Sequence, residues 1–292
     1  MLARTGKVDD RGAPGHECSF IRPLGLLTLV LSLVSPLRAE LITLAPVADT
    51  TIYEDPSGSV SNGAGSAMFA GRNSSSGNSV RRALVAFDLT ASIPADSTII
   101  HASLTLYNDA ANVAPQIIAL HRLTRGWGEG ESIAAGGQGS GAAAEPGDAT
   151  WLHRNFDTAY WSSPGGDFEP LASSALVVEG AGYYTWPSTN TLVADLQDFI
   201  HDPTVNFGWL LVGNETEAGS ARRFATREAV DSGLRPQLSV EFTVVPEPSS
   251  FFCLAVTLLA CTSRRPGGAS LRRTPSCQGN SRTPGRTQLS RF

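Results

Sequence analysis

Between residues 40 and 244 apolar and polar side chains alternate with period two in one short run after another. In TIIHASLTLY (98–107), Ile100, Ala102, Leu104 and Leu106 share one face while His101, Ser103, Thr105 and Tyr107 share the other. That alternation predicts a strand with one face buried. Runs at 48–54, 82–89, 116–123, 207–213 and 236–244 read as further strands, punctuated by Gly, Pro and Asn. Only 189–203 has a helical period: Leu192, Val193, Leu196, Phe199 and Ile200 recur at spacings of three and four, with Pro203 just beyond. The Ser/Gly/Asn stretch 57–79 and the Gly/Ala stretch 136–148 read as flexible loops. Many short strands and one short helix, with no fixed-period repeat, predict an all-β fold. The expected architecture is a jelly-roll β-sandwich forming a single domain over 40–244.

Two apolar stretches have neither period. After Arg22, PLGLLTLVLSLVSPLRAE (23–40) has the length of a secretory signal and ends at the small residue Ala39. Residues 1–39 are therefore expected to be an N-terminal extension and signal peptide, removed by signal peptidase near Ala39. The second stretch is VPEPSSFFCLAVTLLACTSRR (245–265). As a helix its apolar part, 251–262, reaches about 18 Å, against a hydrocarbon core of about 30 Å. It is short for a span, and a basic tail, 266–292, follows it.

Charge and cysteine content sharpen the same division. The 292 residues are 41% hydrophobic, enough for a core, and include 29 glycines and 18 prolines. The net charge of -5 conceals a split. Residues 40–245 carry 23 acidic and 10 basic side chains, a net of -13, whereas the chain after Thr262 carries seven arginines and no acid. Bulk electrostatics thus disfavour nucleic acid or an anionic membrane surface as a partner of the central region. The four cysteines, Cys18, Cys253, Cys261 and Cys277, all lie outside it. Neither a disulfide framework nor a cysteine metal site can be built there.

The order Pro246, Glu247, Pro248, then an apolar stretch, then Arg264 and Arg265, resembles the PEP-CTERM sorting signal of bacterial surface proteins. The resemblance implies transient anchoring in the inner membrane, processing by an exosortase-type sorting enzyme, and delivery to the cell surface or extracellular matrix. Family members usually end soon after the arginines, whereas this chain continues for 27 residues.

The order ADTTIYED, RRALVAFDLTASIPADSTIIHASLTLY, WGEGE, ATW, NFGWLLV, RRFATRE and RPQLSVEF resembles a DNRLRE domain, over about 200 residues. This likeness implies a jelly-roll module of the kind found as carbohydrate-binding modules or within large surface proteins.

No nucleophile elbow, zincin, phosphate-cradling or EF-hand motif is present, and His101, His121, His153 and His201 stand isolated in the sequence. Glu129 and Glu131 in WGEGES are the sharpest carboxylates for an acid/base pair, but no partner residue defines a second role, so no catalytic residue is assigned. Aromatic faces stack on sugar rings. Tyr160 and Trp161 in TAYWSSPGGDFEP are expected to be exposed, and Tyr184 is a further candidate. Trp127, Trp151 and Trp209 read instead as core or loop-pinning residues. Arg222, Arg223 and Arg227 concentrate positive charge, and an arginine fork matches carboxylates such as those of uronic acids. Internal ion pairing is the competing role for them. No organic cofactor is implied. Asp49, at the start of a strand, is a candidate ligand for a structural calcium.

These features predict an exported, non-catalytic surface or matrix protein that binds polysaccharide. The alternatives are a polysaccharide lyase or glycoside hydrolase, and a structural surface protein without a discrete ligand.

Overall fold

The computed structural model describes residues 38–77, 79–110 and 114–244. The sorting motif, the basic tail and the signal sequence up to residue 37 lie outside the described residues. Strands dominate: β1 (Ala39–Leu44), β2 (Ala48–Tyr53), β3 (Val60–Ser61), β4 (Ala67–Arg72), β5 (Val80–Ala86), β6 (Thr98–Asn108), β7 (Gln116–Leu123) and β8 (Ala142–Ala143). They continue with β9 (His153–Asn155), β10 (Ala159–Tyr160), β11 (Phe168–Val178), β12 (Gly182–Trp186), β13 (Trp209–Val212), β14 (Arg222–Ala225) and β15 (Gln237–Thr243). Among the described residues there is one α-helix, α1 (Asn190–His201), which precedes β13. The all-β expectation is met.

Eleven strands join in one antiparallel ladder, ordered β1-β15-β6-β14-β4-β5-β13-β7-β11, with β12 added to β6 and β2 to β5. The bend lies in β4. Ala67 to Ala70 pair with β14, whereas Gly71 and Arg72 pair with Arg81 and Val80 of β5. Gly71 has φ +116°, and a Cβ there would meet the Ala221 backbone at 2.9 Å, so only glycine lets the strand change partners.

The two arms enclose one apolar core. Leu104 and Leu106 of β6, Trp186 of β12 and Val240 of β15 pack in the same cluster as Val85 of β5, Leu120 of β7 and Trp209 of β13. The predicted helix is present, capped at Thr189, whose Oγ1 accepts from the Leu192 amide at 3.0 Å. It buries Leu192, Leu196, Phe199 and Ile200 as its period demands, and Asp195 as well.

Several expectations require correction. In β6, Ile99 is buried and Ile100 exposed, the reverse of the simple alternation, because the β15 register shifts between Glu241 and Phe242. That bulge inserts one residue and exchanges the faces beyond it. Residues 57–79 contain β4, with Met68 and Ala70 fully buried, so this stretch is not simply a flexible loop. Residues 136–148 are also tied down. Gln138 O accepts from Tyr53 Oη at 2.8 Å, Gly139 O accepts from Arg81 Nε at 3.1 Å, and β8 pairs with β3. Strands β1, β3, β4, β8, β9, β10, β11, β12 and β14 were not anticipated.

Ala83, Leu84 and Val85 are consecutive and all fully buried, so β5 is not the half-buried strand expected. Val85 faces the main core, while Leu84 joins Ile52, Leu123 and Leu210 in a second cluster on the opposite face. This arm of the ladder is covered on both sides, which accounts for near-continuous apolar runs such as ALV and WLLV.

Candidate functional site

The cover on that second face is the long connection between β7 and β11. Trp161 packs into the second cluster, with Trp127, Trp151 and Phe207 against it. Indole N–H groups fasten it: Trp127 Nε1 donates to Phe207 O and Trp161 Nε1 to Thr150 O, each at 2.9 Å. Arg82 holds it from below. Its guanidinium pairs with Glu215 at 2.7 and 3.0 Å, donates to Gly165 O at 2.7 Å and lies over the Trp151 ring.

Tyr160 and Trp161 therefore point opposite ways. Trp161 is 5% exposed, contrary to the expectation that it faces solvent, because it plugs the apolar surface of Leu84 and Leu210. Tyr160 is 65% exposed, with its ring set against His153 at a centroid distance of 4.3 Å. It borders an open groove of about 660 Å³ together with Thr124, Arg125, Arg154, Ser162 and Asp167. Asp167 shapes one wall by accepting from the Ser162 and Ser163 amides at 2.8 and 3.1 Å. Arg154 donates to Gly126 O at 3.2 Å. Arg125 is exposed and has no hydrogen bond or ion pair among the described residues. The groove thus offers a flat ring, an uncommitted guanidinium and hydroxyl groups to a polar, ring-shaped or anionic ligand.

The three candidate arginines do not line this groove. Arg222 is fully buried, and its guanidinium donates to the carbonyls of Ser220 at 2.8 Å and Ala114. Burial lowers its pKa, and its role is to tie loop backbones together. Arg223 pairs with Asp109. Tyr184 is half-buried against the main core, its Oη donating to Gly180 O at 2.9 Å. Trp209, as anticipated, is core. The groove residues Arg125 and Arg154 were missed. Their only signal is basic residues beside the glycine of RGWGEG and within the HRN strand, which is weak without the fold.

Arg227 belongs to a second constellation. Asp49, Glu129 and Glu228 lie far apart in the chain, yet each brings a carboxylate oxygen within 4.8 Å of the others. Arg227 donates from Nε to Glu129 Oε1 at 2.7 Å and from Nη2 to Glu129 Oε2 at 2.5 Å, and its Nε lies 2.9 Å from Glu228 Oε1. The Arg227 amide donates to Asp49 Oδ2 and the Asp49 amide to Glu129 Oε1, both at 2.8 Å. Hydrogen bonding to Glu129 holds the Arg227 pKa above its usual value. Burial drives Asp49 well above the ordinary carboxylate range and raises Glu228 as well. Glu131, by contrast, is exposed, so Glu129 and Glu131 do not face one site. Both Glu129 oxygens are engaged by Arg227, which makes Glu129 a brace between loops. Glu228 was not foreseen, since nothing local in RRFATREA separates it from an ordinary surface acid.

Neither a protein-family model nor a curated protein matches this chain.

Proposed function

We propose that this protein is exported and sorted to the cell surface or matrix, where a jelly-roll β-sandwich binds polysaccharide without cleaving it. The carrying observation is the groove at Tyr160: an exposed ring, the Arg125 guanidinium, unpaired among the described residues, and the hydroxyls of Thr124 and Ser162 border one open channel. Open grooves suit a chain that enters and leaves at both ends. An arginine with no partner among the described residues favours acidic sugars, whose carboxylate a guanidinium fork matches. Catalysis is disfavoured because the sharpest acid pair, Glu129 and Glu131, is divided between a brace and open solvent. On this reading the Pro246-Glu247-Pro248 motif and the arginines Arg264 and Arg265 direct a transient inner-membrane stage. Signal peptidase acts at the other end.

A glycan array tests the binding reading. Retention of an acidic polysaccharide that drops at least tenfold in Tyr160→Ala and in Arg125→Ala, with unchanged stability, is the expected result. Release of reducing ends or unsaturated products from any polysaccharide would sink it. For the sorting step, fractionation of a host with and without its exosortase is decisive. Equal mass and equal membrane retention in the two strains would refute processing.

A further inference from the structure

The carboxylate cluster contains an imbalance that Arg227 does not remove. Three carboxylates surround one guanidinium, leaving two negative charges when all are ionised. Both Glu129 oxygens, Asp49 Oδ2 and Glu228 Oε1 have donors or the guanidinium beside them. Asp49 Oδ1 and Glu228 Oε2 are both buried and have no hydrogen-bond partner among the described residues, and Asp49 as a whole is fully buried. Leaving buried carboxylate oxygens without a donor is costly, and native structures resolve it with a partner, a proton or an ion.

We propose that Asp49, Glu129 and Glu228 seat one divalent cation of the calcium class, which pins β2 to the loops that follow β7 and β14. The donor set is all oxygen, as a hard cation requires. Its spacing is suitable too, since oxygens bound at about 2.4 Å on opposite sides of one ion lie about 4.8 Å apart. Two positive charges cancel the residual two negative ones. The three ligands come from separate segments, and calcium accepts irregular coordination where magnesium demands a near-ideal octahedron. This seat is independent of the Tyr160 groove and stands or falls without it.

The test uses the full-length chain, stripped with a chelator and titrated with calcium chloride in the absence of any glycan. Expected are one calcium per chain by calorimetry and an unfolding midpoint that keeps rising with calcium concentration above Kd. Glu228→Gln and Asp49→Asn should each weaken calcium binding tenfold or more. Glu228→Gln should leave the calcium-free midpoint unchanged or raise it, since it removes one of the two negative charges in excess of Arg227. Three results would overturn the seat. One is a wild-type midpoint indifferent to millimolar calcium, the buried oxygens then sharing a proton. Another is an equal response to magnesium, which indicates general screening. The last is a Glu228→Gln variant with a lowered calcium-free midpoint and wild-type calcium affinity, which makes Glu228 merely a partner of Arg227.

Discussion

The two faces of the β2/β5/β13/β7 arm are buried by different means. On the inner face, Val85, Leu120, Trp209 and Leu211 meet the other arm and α1 in an apolar core. Trp209 there touches Phe87 and Phe199 with ring centroids 6.4 and 5.4 Å away. On the outer face, Leu84 and Leu210 are covered by a long connection with little regular structure. That cover is held by indole and guanidinium hydrogen bonds to loop carbonyls, and by glycines where backbones come close. At Gly130, with φ +74°, a Cβ would sit 1.6 Å from Asp148 Oδ1. The inner face gains its stability from area and shape, while the outer face depends on a few named fastenings. A groove built on loops needs both, because loops hold a groove only where they are pinned to something rigid.

Substitutions can break this comparison in order of size. Trp209→Ala removes the largest inner-face anchor and should cost about 3–5 kcal/mol in urea unfolding. A loss under about 1 kcal/mol would deny the inner face its dominance. Trp161→Ala should cost less, about 2–3 kcal/mol, because its neighbours are loops that relax into the space. Its sharper signature is proteolysis between residues 124 and 167 at native conditions, which Trp209→Ala should not show selectively.

Asp195 probes the polar element of the inner face. Its Oδ2 accepts from Ser173 Oγ at 2.5 Å and from Trp209 Nε1 at 3.1 Å, while Arg122 lies 3.6 Å from Oδ1. Burial raises its pKa in the fold. A raised value means that the folded state binds the proton more tightly than the unfolded one. The contribution of Asp195 to stability is therefore greatest below the ordinary aspartate pKa and is lost as pH rises through the raised folded value. Asp195→Asn should flatten that part of the stability-pH profile and shift stability at pH 7 by about 1 kcal/mol or less. An unchanged profile would remove Asp195 as its source. Tyr160→Ala should have the smallest effect, within about 0.5 kcal/mol, since the ring is mostly exposed. A larger loss would make Tyr160 a fastening of the cover.

How much of this was legible depends on how local each signal is. The helix at 190–201 was read from five residues on one stripe, and β2, β5, β6, β7, β13 and β15, six of the fifteen strands among the described residues, from short apolar or alternating runs. Strand β4 was hidden because AMFAGR lies inside a Ser/Gly/Asn-rich stretch and its partner β14 lies about 150 residues away. The neighbours Tyr160 and Trp161 carry the same aromatic signal, and nothing in TAYWSS says which one turns inward. Arg222 and Arg227 likewise share one short motif, yet one is sealed beneath loop carbonyls and the other braces three acids.

Taken alone, the order of residues determined the β-rich class, the position of the helix, the acidic cysteine-free middle and the expectation of apolar addresses at both ends. These are properties of period and composition, which act over a few neighbouring residues. Only the tertiary structure decided that Asp49, Glu129 and Glu228 converge, that Trp161 is a plug, and that Arg125 borders one groove with Tyr160. Each of those depends on segments brought together across the fold. The physical reason is that burial and charge pairing are set by what arrives from elsewhere in the chain, whereas strand and helix periods are written within a single segment.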